Sequence, residues 1–93
     1  MPAPPLLLLR VAATWHLPGL GLLVLPDGAT PQLAGYPLHT ALAVELVPAT
    51  GPRHATTATV EEITRANQVE RGLLLSLDTQ VEILVGTGIW LAA

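Results

Sequence analysis

Trp15-His16-Leu17-Pro18-Gly19-Leu20-Gly21-Leu22-Leu23-Val24-Leu25 decides how the rest of this chain is read. Pro18 fixes its own φ, and glycines at 19 and 21 accept backbone geometry that side-chained residues resist. Apolar runs flank the turn, Leu6 to Ala13 before it and Leu20 to Leu25 after it. The stretch therefore predicts two strands joined by a tight Pro-Gly-X-Gly turn. The later chain reads as strands returning to this hairpin.

Working back from the turn, Leu6 to Thr14 forms the first strand. Strand alternation puts Leu7, Leu9, Val11 and Ala13 on one face and Arg10, Ala12 and Thr14 on the other, leaving Leu6 and Leu8 to cover a barrel end or an interface. Residues 1–5 are a flexible, Pro-rich N-terminus.

Working forward, Pro26-Asp27-Gly28 stops the second strand. Residues 26–39 form an irregular connection with a short strand around Leu33. Thr40 to Val47 is a strand that turns Leu42, Val44 and Leu46 inward; flanking Pro37 and Pro48 and the short length disfavour a helix. After the Pro48–Pro52 turn, His54 to Arg65 is rich in β-branched residues and predicts a long strand, bent or bulged near Glu61-Glu62. Ala66-Asn67-Gln68 is a turn and Gly72 to Leu77 a short buried strand. Asp78 to Gly86 connects to a closing strand, Gly88 to Ala92. Six short strands with turns between them predict an all-β fold: a small closed Greek-key β-barrel, one domain over residues 6–93.

Composition sets bounds on function. There is no cysteine, hence no disulfide framework and no thiolate chemistry. Hydrophobic residues make up 51% of the chain and charged residues 12%, which predicts apolar surface and a homo-oligomer or a protein partner. Phenylalanine is absent, so Leu, Val, Ile and Ala pack the core, with Trp15, Tyr36 and Trp90 expected to join them. Net charge is −3, and the positive residues Arg10, Arg53, Arg65 and Arg71 are scattered. No basic run exists to follow a phosphate backbone, which disfavours an independent nucleic-acid binder. The leucines near the start lack a preceding basic segment and are interrupted by Arg10, unlike a secretory signal. No apolar run approaches the roughly 20 residues of a membrane helix. These features predict a cytoplasmic protein with no membrane partner.

Catalytic and metal chemistry find little support. His16, His39 and His54 have no ligand-like spacing and read as half-exposed residues at strand ends, so no metal is expected. Glu61 and Glu62 are adjacent and point to opposite faces unless a bulge turns one, which argues against a shared acid pair. Thr56, Thr57 and Thr59 lack an evident activating base. Pro18-Gly19-Leu20-Gly21 precedes no helix and is too short to cradle phosphate. No catalytic residue and no cofactor are assigned.

The order of these motifs resembles the β-barrel second domain of translational GTPases, typified by elongation factor Tu. Val11 to Val24 matches that family's strand, Gly-X-Gly hairpin and second strand, with Gly19-Leu20-Gly21 at the turn. Thr57-Ala58-Thr59-Val60-Glu61 matches a strand leading into Val-Glu, and Gly72-Leu73-Leu74-Leu75 the strand after it. Val85-Gly86-Thr87 and Ile89-Trp90-Leu91 match the closing segment. The resemblance covers residues 10–92 and implies ligand-binding positions at Glu61, Gly19 and Gly21. Glu61 falls where the family places a glutamate beside the terminal adenosine of aminoacyl-tRNA.

The departures remove positive charge. Leu20 stands where elongation factors carry an arginine, Leu25-Pro26-Asp27 replaces a Thr-Gly-Arg-like segment, and Leu74-Leu75-Ser76 replaces Leu-Leu-Arg. No phosphate loop is present and the chain has no lysine to build one, so no nucleotide is expected. The first expectation is therefore a non-enzymatic binding module, self-associating or docked on a protein partner. The alternative is a translation-linked accessory with weak binding to the aminoacyl end of tRNA.

Overall fold

The computed structural model describes residues 6–76 and 82–92. The expected N-terminal segment 1–5 and part of the connection after Leu75 lie outside the described residues. Six strands form: β1 (Leu6–Leu17), β2 (Gly21–Pro26), β3 (Ala41–Val47), β4 (His54–Arg65), β5 (Gln68–Leu75) and β6 (Gly88–Leu91). All pairings are antiparallel, and the strands close a ring in the order β1-β2-β5-β4-β3-β6.

The Pro-Gly turn forms as the sequence predicts. Leu20 donates its N–H to the Leu17 carbonyl at 2.9 Å, and Gly19 takes φ +80. Proline second and a positive-φ glycine third define a type II turn. At the other long hairpin, Ala66 and Asn67 both take positive φ between Arg65 and Gln68, which pair directly. That is a two-residue type I′ connection, whose twist suits antiparallel strands.

Alternation places the core. Val24, Leu73 and Val60 lie in one cross-strand row and are fully buried, as are Val44 and Ile89. Leu42, Val44 and Leu46 point inward as predicted. At about 25 cal/mol per Å² of apolar area removed from water, such layers supply most of the driving force for closure.

Five expectations are corrected. Leu33 lies in no strand: Pro31–Ala34 is a single helical turn, α1, and Leu33 plugs the core completely buried. Proline suits the first helical position because its missing N–H would be unpaired there anyway. The bulge expected at Glu61-Glu62 is absent, since β4 and β5 pair without a break from Ala58 to Arg65. Register shifts occur in β1 instead, between Leu7 and Leu9 against β6 and between Val11 and Ala13 against β2. The first shift buries both Leu8 and Leu9, so Leu8 is core rather than a cover for an end. Finally, β5 begins at Gln68 rather than Gly72.

The tryptophans are the fifth correction, for neither joins the core cluster. Trp90 pairs with Leu7 and Glu45 and is half-buried on the outer surface of the ring. Gly88 shelters it: a Cβ there would lie 2.9 Å from the indole Nε1. Trp15 has no such shelter and is 53% exposed.

Candidate functional site: the outer face of the β1–β2–β5–β4 sheet

Cross-strand pairing sets Trp15, Leu23, Leu74 and Thr59 side by side on β1, β2, β5 and β4. Directly paired residues share a face, and the neighbouring Val24–Leu73–Val60 row is buried inside. This row is therefore the outer surface of the ring. It runs from an indole through two half-buried leucines to a hydroxyl. Leu20, at the turn between β1 and β2, is 67% exposed.

The polar end is built around Glu61. Thr59 and Glu61 are two apart on β4 and point the same way, so the Thr59 hydroxyl donates to the Glu61 carboxylate at 2.8 Å. His39 Nδ1 lies 2.9 Å from the other carboxylate oxygen. The His39 backbone is pinned at φ +69, with its N–H donated to the Val60 carbonyl at 2.7 Å. Glu61 is thus held by two neighbours, while the His39 ring remains largely in solvent. This arrangement orients an imidazole. It offers no nucleophile, because the Thr59 hydroxyl is directed at the carboxylate rather than at the ring.

Glycine makes the approach of strands possible at two points. A Cβ on Gly21 would sit 2.2 Å from the Leu75 carbonyl oxygen, and its φ is +136. A Cβ on Gly72 would sit 2.3 Å from Ile63 Cδ1 and 2.7 Å from the Val24 carbonyl oxygen. Gly72 therefore lets Ile63 lie across β5, where Ile63 is buried outside the main core cluster.

Of the residues proposed from sequence, Glu61 and Gly21 share this side of the ring, separated by Leu74 and Leu23. Strand spacings put them roughly 15 Å apart. Gly19 has open space around it at the turn. They do not converge on one ligand-sized point. His16, His39 and His54 are exposed and lie apart, on β1, before β3 and at the start of β4. Among the described residues no group of three His, Asp or Glu side chains gathers. Nor is any described helix long and apolar enough to cross a membrane.

The arginines are largely engaged within the chain. Arg53 pairs with Glu45 at 3.1 Å, and Arg65 with Glu70 at 2.9 Å. Arg65 also donates to the Pro26 carbonyl, and Arg71 to that of Tyr36. Arg10 is exposed on β1.

Sequence reasoning missed Trp15 as a surface residue. No local signal marked it: that Trp15 faces outward follows from its pairing with Leu23, in the row beside the buried Val24–Leu73–Val60 one.

A separate cleft of about 290 Å³ lies at the loops around Pro48–His54 and Glu82–Thr87. Leu46, Pro52, Ile83 and Leu84 line it, with Arg53 and His54 at its polar side. Against known proteins the chain matches no family, no curated protein and no solved structure.

Proposed function

We propose that this chain is a non-enzymatic binding module that docks through the outer face of the β1–β2 hairpin, either on a second copy or on a protein partner. In this reading the ring is a Greek-key barrel of the elongation-factor second-domain type, working in the cytoplasm. The observation that carries the proposal is Trp15, half exposed at the head of the Leu23–Leu74 row. Tryptophan in a central apolar patch with polar groups at the rim is the usual anatomy of a protein-binding hot spot. Here Thr59, Glu61 and His39 supply the rim.

The engaged arginines favour this reading over the tRNA one. A nucleic-acid surface needs free positive charge, and three of these side chains are spent on carboxylates or carbonyls of the chain itself.

Two measurements test the proposal. An environment-sensitive apolar dye should brighten on the native protein, and Trp15→Ser with Leu20→Ser should abolish the signal without unfolding. No dye binding by the wild type would refute an open apolar docking face. A titration with aminoacylated and uncharged tRNA at low salt should give no preference. Selective binding of the charged form, lost in Glu61→Ala, would replace this proposal with the tRNA reading.

A further inference from the structure

We propose that the partner of this face is a second copy of the chain, joined by antiparallel pairing, across a two-fold axis at Trp15, of the β1 edge that is unpaired among the described residues. This rests on the binding-module reading and names its occupant.

The edge follows from backbone direction. The Leu17 carbonyl accepts from Leu20 and so faces β2. Residues two apart along a strand direct their backbone groups alike, so Trp15 and Ala13 also face β2. Thr14 and His16 then direct their N–H and C=O groups to the opposite side. β6 pairs with β1 only from Leu6 to Arg10, and Gly86 and Thr87 bond Val11. Beyond that point, among the described residues, no backbone group meets the edge.

An edge of this kind is self-complementary. Antiparallel pairing about Trp15 sets Thr14 opposite the partner subunit's His16, and His16 opposite the partner subunit's Thr14. Each pair exchanges two backbone hydrogen bonds. Trp15 then faces its own copy at a non-hydrogen-bonded position, where side chains approach most closely and aromatic pairs add stability.

Charge selects the same occupant. From Val11 to Pro26 there is no Asp, Glu, Lys or Arg, although the chain carries a net −3. Two copies can meet here without opposing like charges, while a partner chosen by charge finds nothing to pair with. Val85, exposed, immediately precedes Gly86, whose N–H bonds the Val11 carbonyl. Elsewhere the chain guards a protruding edge. The tip of the β4–β5 hairpin carries Glu62, Arg65, Glu70 and Arg71, the charged side chains by which proteins prevent edge pairing.

The test is sedimentation velocity of the whole chain from low to high micromolar concentration, with circular dichroism on the same samples. The wild type should shift from monomer to dimer as an exciton couplet from the paired indoles grows in. Trp15→Lys and His16→Pro should each raise the dimer dissociation constant at least tenfold, about 1.4 kcal/mol, and abolish the couplet. His16→Pro removes an N–H that β2 does not use, so both variants should unfold at the wild-type denaturant midpoint when measured as monomers.

A wild type that stays monomeric while the dye signal persists would overturn self-pairing and leave the docking face to a foreign partner. A monomer that binds no dye would overturn both readings. A dimer that survives both substitutions would place the interface elsewhere and overturn this one.

Discussion

The two long hairpins of this protein solve the same mechanical problem in opposite ways. Each strand of β4–β5 and the long strand of β1–β2 run past the neighbours that close the ring, exposing backbone and an outer face. On β4–β5 that face is covered by its own side chains: Ile63 lies over Gly72, Arg65 bridges to Glu70 and to the Pro26 carbonyl, and Thr59 and His39 hold Glu61. On β1–β2 nothing charged is present from Val11 to Pro26, and Trp15 and Leu20 stand in solvent. Within one small chain, the outer face of one hairpin carries ion pairs and that of the other carries none. The difference resides in the side chains that each hairpin carries.

Substitutions can break this contrast, beginning with the attachment of the bare hairpin to the ring. Gly21→Ala forces a Cβ against the Leu75 carbonyl at a φ of +136. It should cost about 4 kcal/mol in denaturant unfolding, since a backbone atom cannot move aside as a side-chain tip can. Leu73→Ala removes the residue packed between Val24 and Val60, where both hairpins meet. Its expected cost is about 3 kcal/mol, from lost burial and the cavity left behind, read as a lower denaturant midpoint with unchanged slope.

Smaller effects sharpen the comparison. Gly19→Ala should cost about 1 kcal/mol, because its φ is positive but the space around it is open. Much less loss at Gly19 than at Gly21 would separate turn strain from strand contact. Replacing Arg65 and Glu70 together by valine should change stability by under about 1 kcal/mol, as partly exposed ion pairs contribute little. The same double variant should acquire new self-association by light scattering, since it strips the guard from the second hairpin. Trp15→Ser should alter monomer stability least, within about 0.5 kcal/mol, because so much of the indole is already in water. Its effect belongs to association alone.

Much of the architecture was legible along the chain. Leu42, Val44 and Leu46 announced their inward face by alternation, and Pro18-Gly19 announced its turn through the φ values that these residues allow. The candidate site was legible only in fragments. Glu61 could be singled out, but His39, which holds it, is distant in sequence and arrives through a backbone bond to Val60. The four-residue row from Trp15 to Thr59 joins four strands and depends on register in three pairings at once. A shift of one residue in any of them would turn its members inward. No local pattern carries that information.

Trp15 shows where composition misleads. In a chain without phenylalanine, an indole is the natural candidate to fill a core, and the same argument covers Trp90. Both point outward, because β1 and β6 place them on the outer side of the pleat. Gly88 then shelters one and the protruding turn exposes the other.

The sequence by itself determined most of the strands and turns and the absence of charge between Val11 and Pro26, because alternation, glycine, proline and residue type act locally. Tertiary structure alone decided that β1 shifts register twice, that Leu33 plugs the ring, and that Trp15 heads an open face. Each of these depends on which strand lies beside which, and therefore on the closure of the whole sheet.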